Sequence, residues 1–218
     1  MTQQIYPILL LSILLYQFSH IIHHAKFVPY SPYCTLAKLT SVAKHFFSDP
    51  SHLVQTALHS LTVTNPSLAF DPEHKIIFRR PNPQAKRKVA IVSGGGSGHE
   101  PAFAGLVGKG LLDASIAGTI FASPSAEQIR KGVMDYIDNE EGVLIIPMNY
   151  TGDVLNFGMA TEKARAAGIQ TEFFAVNDDA GVGKKKGGKV GRRGIAGGIL
   201  ILKIVGALAE EGYVSCYE

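Results

Sequence analysis

Residues 88–101 read KVAIVSGGGSGHEP, and this stretch decides the fold. Its first part, residues 88–93, is a short apolar run that leads directly into three consecutive glycines. An apolar run of this length that is bounded by a glycine cluster is typical of a buried strand. We therefore expect a strand at 88–93, a glycine loop at 94–101, and then a helix that carries Phe103.

Strands and helices alternate on both sides of this stretch. The predicted strands are 75–79, 88–93, 114–120, 142–146 and 170–176. The predicted helices run over 51–61, from the Ser123-Pro124-Ser125 start to about 137, from the 149–153 loop to Gly168, and over 195–211 with Gly212 as the cap. Such alternation is typical of an α/β fold. We expect a mostly parallel sheet with helices on both of its faces.

The composition excludes several classes of protein. A chain of 218 residues with 46% hydrophobic residues can bury a core, which excludes a disordered tail and a short disulfide scaffold. The net charge of +3 is too small to indicate nucleic acid as a partner. The densest basic run, GVGKKKGGKVGRR at 181–193, lacks the interleaved aromatic residues that stack on bases. We interpret this run as a solvated, mobile loop, and in second place as a contact to a partner domain.

The cysteines and histidines predict no metal site. Cys34 and Cys216 lie near opposite ends of the chain and form no CxxC pair, which argues against a disulfide framework and a structural zinc site. A reducing compartment, and hence a cytoplasmic location, is the expected setting. His20, His23 and His24 cluster without an acidic or cysteine partner nearby, so we predict no metal ligands among them.

The first part of the chain differs in composition from the rest. No acidic residue precedes Asp49, and no glycine precedes Gly94. Residues 5–22 read IYPILLLSILLYQFSHII, an apolar run near the lower length limit of a membrane-spanning helix. Polar side chains in its second half weaken that signal, so a membrane anchor, a disordered extension and a mistaken translation start all stay open. We treat residues 1–43 as an extension and residues 44–218 as the domain.

Two polar loops follow apolar strands in this pattern. The loop at 94–101 matches neither GxGxxG nor a Walker motif, yet its glycines let a small ligand approach the backbone closely. The loop at 149–153 has Asp153 at the start of a helix, where a carboxylate caps the helix or acts as a base. For Asp153 alone, a cap is the expected role. Because ligands gather at the carboxyl ends of parallel strands, the two loops together predict a shared site.

Four stretches, in order along the chain, are similar to the signature stretches of one family. They are VSGGGSGHEPAFAGLVGKG at 92–110, FASPSAEQI at 121–129, NYTGDVLNFGMATEKARAAGI at 149–169 and GRRGIAGGILILKIVGALAEEG at 191–212. Together with KHFFSDPSHLVQTALHSLTVTNPSL at 44–68, they resemble the ATP-dependent dihydroxyacetone (glycerone) kinases. The resemblance extends from about Lys44 to about Tyr213. It implies the first part of the substrate-binding domain of such a kinase.

The resemblance also implies roles for individual residues. His99 would hydrogen-bond the substrate, and Asp153 would accept a hydroxyl proton as that hydroxyl attacks the γ-phosphoryl group. Met148 stands where many relatives have lysine, so one polar contact to the substrate is absent or replaced. The positions that the resemblance assigns to the substrate are Gly95, Gly96, Ser97, Gly98, His99, Met148 and Asp153.

Cofactors and partners follow from the same resemblance. Relatives use ATP and magnesium, which a separate helical domain or subunit binds, and a histidine further along their chains binds the ketose covalently. No residue of this chain matches those parts, so whether the chain is an enzyme by itself stays open, as does a homodimer. The expected function is the substrate-binding part of phosphoryl transfer from ATP to dihydroxyacetone or a related short ketose. The alternative is a catalytically inactive, truncated relative that binds a ketose weakly, or a fragment of a misread gene.

Overall fold

The computed structural model describes residues 52–213. The extension at 1–43, its apolar segment at 5–22 and the start of the domain at 44–51 lie outside the described residues, and so does the prediction of a membrane anchor. Within 52–213, no helix combines the length and the apolar character that crossing a membrane requires.

A six-stranded sheet forms the centre of the described part of the chain. Its strands are β1 Leu68–Asp71, β2 Ile76–Arg79, β3 Ala90–Ser97, β4 Ala114–Ile120, β5 Val143–Ile145 and β6 Thr171–Phe173, arranged in the order β1-β2-β4-β3-β5-β6. Strands β4, β3, β5 and β6 are parallel to one another, whereas β1 and β2 add an antiparallel pair beside β4. The mostly parallel sheet is therefore confirmed, with β1 as a strand that the sequence did not predict.

Helices cover both faces of the sheet, as predicted. They are α1 Leu53–Thr64, α2 Ala126–Asp135, α3 Thr151–Ala166 and α4 Gly197–Glu211. Consecutive strand residues point to opposite faces, so Ile91 and Val92 of β3 belong to different core clusters. Ile91 shares its cluster with Leu202 of α4 and with residues of α1. Val92 shares the opposite cluster with Ile129 of α2 and Phe157 of α3.

The helix ends follow from local sequence signals. Helix α2 begins with a capping box, in which the Ser125 hydroxyl accepts the backbone N–H of Gln128 and the Gln128 side chain accepts that of Ser125. Helix α4 ends at Gly212, whose φ of 80° is the left-handed conformation that glycine adopts without strain. Both ends lie within two residues of those that the sequence predicts.

The glycine run lies in strand β3 and not in a loop, which corrects the prediction for 94–101. Gly94 pairs with Ile116 and Gly95 with Ala117 in the parallel ladder between β3 and β4. A Cβ built on Gly94 would overlap the backbone carbonyl oxygen of Ile116, so glycine is required for the two strands to approach this closely.

The helix predicted after this run is also wrong. Only one turn of 3-10 helix, Ala104–Leu106, forms there. Backbone groups that a helix would use are paired across a tight turn instead, because Gly108 N–H donates to Leu112 O and Leu112 N–H donates to Leu106 O. The segment between β3 and β4 is therefore a mostly irregular connection on the face of the sheet that α1 and α4 cover.

The close approach at Gly94 generates a first prediction. We expect Gly94→Ala to lower the free energy of unfolding by about 2 kcal/mol or more, because both strands must shift to admit the methyl group. Urea unfolding followed by circular dichroism measures the effect. The matched control is Gly158→Ala in α3, where nothing lies within 4 Å of an added Cβ. That control should be neutral or stabilising by up to about 1 kcal/mol, and equal losses in both variants would contradict the close-approach argument.

Candidate functional site

The C-terminal ends of the four parallel strands bring four chain segments together. His99 follows β3, Ser123 follows β4, Asp153 follows β5, and residues 181–193 follow β6. The chain passes from β3 to β4 on one side and then returns to β5 on the other side of β3. This reversal creates a crevice at the end of β3, the usual ligand position in open α/β sheets.

Asp153 is the buried carboxylate at this end of the sheet. Its side chain lies in the first turn of α3, it is only 7% exposed, and it is the one buried charged residue among those the structure describes. Its Oδ1 accepts a hydrogen bond of 2.5 Å from the Ser123 hydroxyl. The N-cap of α3 is Tyr150 without a side-chain hydrogen bond, so the helix-cap interpretation of Asp153 is wrong.

Burial raises the pKa of the Asp153 carboxyl above its ordinary value. The hydrogen bond from Ser123 and the charge of His99 act in the opposite direction and offset only part of that rise. A carboxylate whose pKa is raised in a crevice is a candidate proton acceptor, because it holds a proton more strongly than an exposed carboxylate does.

Gly95 lets two side chains approach the backbone of β3 at this point. An added Cβ there would lie 3.4 Å from Asp153 Oδ2 and 3.3 Å from Cε2 of Phe103. The exposed His99 ring packs edge-on against the Phe103 ring, with 5.7 Å between ring centres and 88° between ring planes. The structure therefore brings together three of the predicted residues, Gly95, His99 and Asp153.

The end of β3 contacts the end of β4 through Gly96, Ser97 and Gly98. An added Cβ at Gly96 would lie 2.8 Å from a backbone nitrogen of the turn after β4. The Ser97 hydroxyl is buried and donates a hydrogen bond of 3.1 Å to Gly118 O. Gly98, with a φ of 112°, lies beneath the Phe121 ring, where an added Cβ would be 3.1 Å from Cζ. These contacts fix the two strand ends against each other.

Met148 packs against two glycines near the start of α4. An added Cβ at Gly194 would be 3.1 Å from Met148 Cε, and one at Gly198 would be 2.6 Å from its Sδ. The thioether therefore packs under the start of α4. None of the contacts found among the described residues joins Met148 to Asp153.

Sequence reasoning missed two contributors to the crevice. Ser123 was considered only as part of the start of α2, and Phe103 was assigned to a helix. The position of Ser123 directly after β4 was the available signal, because the ends of parallel strands share one side of the sheet. The structure gives Ser123 a direct bond to the carboxylate and gives Phe103 a contact with His99.

The described residues do not fit a magnesium ion. Within 52–213, no three His, Cys, Asp or Glu side chains lie close enough together to hold a metal ion. Magnesium prefers several oxygen ligands in octahedral geometry, and one carboxylate with one hydroxyl does not supply them.

Residues 59–214 match the family of the Dak1 domain. The chain belongs to the Dak1 domain family. It is 49% identical to dihydroxyacetone kinase 1 of Saccharomyces cerevisiae, over 80% of this chain and 29% of that protein. It is 46% identical to human triokinase/FMN cyclase, over 72% of this chain and 27% of that protein. The Dak1-family chain therefore spans less than a third of the length of these relatives.

Solved structures confirm the α/β fold. The native dihydroxyacetone kinase of Citrobacter freundii matches with a TM-score of 0.69 and 42% identity, over 78% of this chain and 31% of that chain. The same kinase has also been solved in complex with AMP-PNP and Mg²⁺. A dihydroxyacetone kinase operon co-activator matches with a TM-score of 0.64 and 36% identity, over 73% of this chain and 48% of that chain. A dihydroxyacetone kinase and a co-activator of a kinase operon therefore have the same fold as this chain.

The raised pKa of Asp153 generates a second prediction, on stability against pH. Between the ordinary pKa of aspartate and the raised one, the folded state binds more protons than the unfolded state, so stability falls as pH rises through that window. Asp153→Asn cannot titrate. As the pH rises through that window, the parent loses stability and the variant does not. The free energy of unfolding of Asp153→Asn minus that of the parent should therefore increase by about 1.4 kcal/mol for each unit by which the pKa is raised.

Urea unfolding at a series of pH values from the acid limit to neutrality measures this difference. Ser123→Ala provides a second arm, because it removes the hydrogen bond that lowers the pKa of Asp153. Its stability should fall more steeply with pH than that of the parent. Superimposable pH profiles for the parent and Asp153→Asn would show that burial does not raise this pKa.

Proposed function

We propose that the chain is the substrate-binding part of a dihydroxyacetone kinase and takes dihydroxyacetone or a related short ketose as the acceptor of a phosphoryl group. The observation that carries the proposal is the buried Asp153 carboxylate against Gly95 of β3, with His99 beside it. The identity to dihydroxyacetone kinases over most of this chain supports the choice of substrate.

Asp153 is the proposed proton acceptor. The hydrogen bond from Ser123 goes to Oδ1, which leaves Oδ2 for a ligand at the end of β3. A ketose hydroxyl that donates to Oδ2 would have its proton held there as the oxygen becomes nucleophilic. A general base is most effective when its pKa lies near the working pH, so the raised pKa of Asp153 suits this role.

His99 is the proposed hydrogen-bonding partner of the ketose oxygen atoms. Its edge-on packing against Phe103 restricts the orientation of the ring while leaving the side chain exposed to the crevice. Met148 packs under α4 and is proposed as a wall of the site without a polar contact.

A separately supplied domain or subunit is the proposed source of the phosphoryl donor. Helix α4 presents an apolar stripe to solvent, formed by Ile199, Leu200, Ile204 and Leu208 with exposed fractions of 54%, 62%, 50% and 43%. Exposed apolar patches of this kind mark surfaces that pack against another domain. The much greater length of the relatives is consistent with such a domain. A homodimer and a cytoplasmic location stay predictions.

A ketose-binding module without catalysis is the second candidate function. The likeness to a dihydroxyacetone kinase operon co-activator favours it, because that relative is described by a regulatory role and not as a kinase. Both candidates require the ketose to bind at Asp153 and His99, and they differ in whether a phosphoryl group is transferred.

Ketose binding is the third prediction. Calorimetry on the full chain should show weak, reversible binding of dihydroxyacetone. Asp153→Ala should weaken it by at least about tenfold, because a hydrogen bond to a charged group is lost. The matched control is Asp135→Ala, which removes a carboxylate paired with Lys131 on the exposed surface of α2. Unchanged affinity in a folded Asp153→Ala variant would contradict the proposed site.

Phosphoryl transfer by the chain alone is the fourth prediction. The full chain with Mg-ATP and dihydroxyacetone should form no ketose phosphate, because the described residues supply no set of metal ligands. Detection of the product by phosphorus NMR measures the outcome. Ketose phosphate that the parent forms and His99→Ala does not would contradict the restriction to substrate binding.

A further inference from the structure

The loop at 181–193, called the basic loop below, carries positive charge without carboxylate partners. Its described cations are Lys185, Lys186, Lys189, Arg192 and Arg193. Within 52–213 the ion pairs involve other residues, and none of these five side chains takes part in one. The loop is exposed along most of its length, in agreement with the prediction of a solvated segment.

The two aspartates that precede the basic loop do not neutralise it. Asp178 accepts backbone N–H groups of Ile195 and Gly197, each at 2.7 Å, and so fixes the start of α4. Asp179 accepts the backbone N–H of Gly181 at 3.1 Å. Both carboxylates therefore serve the backbone, and the charge of the loop remains available to a ligand.

The basic loop is anchored to the segment that carries Asp153. Asn149 Nδ2 donates to Arg192 O at 2.6 Å and to Val190 O at 2.8 Å. The Arg193 guanidinium lies 5.5 Å from the centre of the Tyr150 ring, within the range of a cation–π contact. Asn149 and Tyr150 directly precede α3 and its Asp153. These bonds hold the loop beside the crevice, so its position is fixed by the same residues that begin α3.

We infer that the basic loop binds a phosphate group next to Asp153, an inference that rests on the proposed function. A phosphate carries up to two negative charges and several acceptor oxygens, which a guanidinium fork and lysine ammonium groups recognise. The anchored Arg193 supplies the fork, and Lys185, Lys186 and Lys189 supply further charge. The phosphate belongs either to a ketose phosphate or to the phosphoryl donor. A small phosphate is favoured over an acidic protein surface because Arg193 contacts Tyr150, the residue that caps the helix carrying Asp153.

The binding of dihydroxyacetone phosphate, inorganic phosphate and metal-free ATP to the full chain tests this inference. Calorimetry of the parent is compared with Arg193→Gln and with the triple variant Lys185→Gln/Lys186→Gln/Lys189→Gln. The matched control is Lys86→Gln/Arg87→Gln/Lys109→Gln, which removes the same charge where β3 and β4 begin, at the opposite ends of the strands.

We expect the parent to bind dihydroxyacetone phosphate more tightly than dihydroxyacetone, with an affinity that falls as salt is added. Arg193→Gln and the triple variant should each weaken phosphate binding by at least about tenfold, and the control variant should not. Arg193→Lys should restore part of the loss, since it keeps the charge without the fork. Equal affinities in the triple variant and the control, or no binding of any phosphate probe by the parent, would overturn the inference.

Competition distinguishes the two sources of phosphate. If the ketose phosphate is the ligand, dihydroxyacetone displaces it; if the donor is the ligand, ATP binds in the presence of saturating dihydroxyacetone. The outcomes also separate this inference from the proposed function. Dihydroxyacetone binding that depends on Asp153, with phosphate binding indifferent to the basic loop, overturns the inference alone. Phosphate binding at the loop without any dihydroxyacetone binding supports the inference and contradicts the proposed function.

Discussion

The close approach of β3 to β4 is the constraint on which the site depends. At Gly94 the two backbones lie so near each other that a methyl group would overlap the carbonyl oxygen of Ile116. Because glycine allows the ladder to continue, β3 reaches Ser97 and carries His99 just beyond the sheet. The register against β4 shifts between Gly95 and Ser97, and such a bulge redirects the backbone at a strand end. The strand itself therefore forms the floor of the crevice.

Burial of Asp153 determines how strongly its carboxyl group holds a proton. Taking a carboxylate out of water is unfavourable unless hydrogen bonds replace its hydration, and here one hydroxyl and one nearby imidazole replace it only in part. Asp178, which precedes the basic loop, has the opposite environment. Backbone N–H groups, chiefly that of Ile195, lower the pKa of Asp178 and keep it charged at the start of α4. Asp178 is thus held ionised and stabilises the start of α4, whereas Asp153 holds a proton more strongly than an exposed aspartate does.

Local sequence signals predicted the limits of helices and strands better than they predicted which distant residues come into contact. Strand β4 was predicted with its observed limits from its short apolar run, and Gly212 was predicted as the cap of α4 because glycine commonly ends a helix. The glycines of β3 were misassigned because their preference for turns is local, whereas the strand that requires them lies some twenty residues further along the chain. Ser123 was missed for a related reason. Its bond to Asp153 depends on β4 and β5 flanking β3, and that strand order is not encoded in periodicity.

Charge is distributed differently at the two ends of the parallel strands. Where β3 and β4 begin, Arg79 contacts Asp113 at 2.9 Å and Glu210 at 3.0 Å, and Lys88 contacts Asp113 at 2.5 Å. Two cations and two carboxylates neutralise one another there and join the sheet to the end of α4. The basic loop at the other end has no such partners among the described residues, although the net charge of the whole chain is only +3. The basic loop is therefore positive because its cations are not paired with carboxylates of the described residues, and not because the chain as a whole has a large excess of cations. A positive potential concentrated beside a crevice raises the local concentration of anions, here next to the helix that carries the buried Asp153.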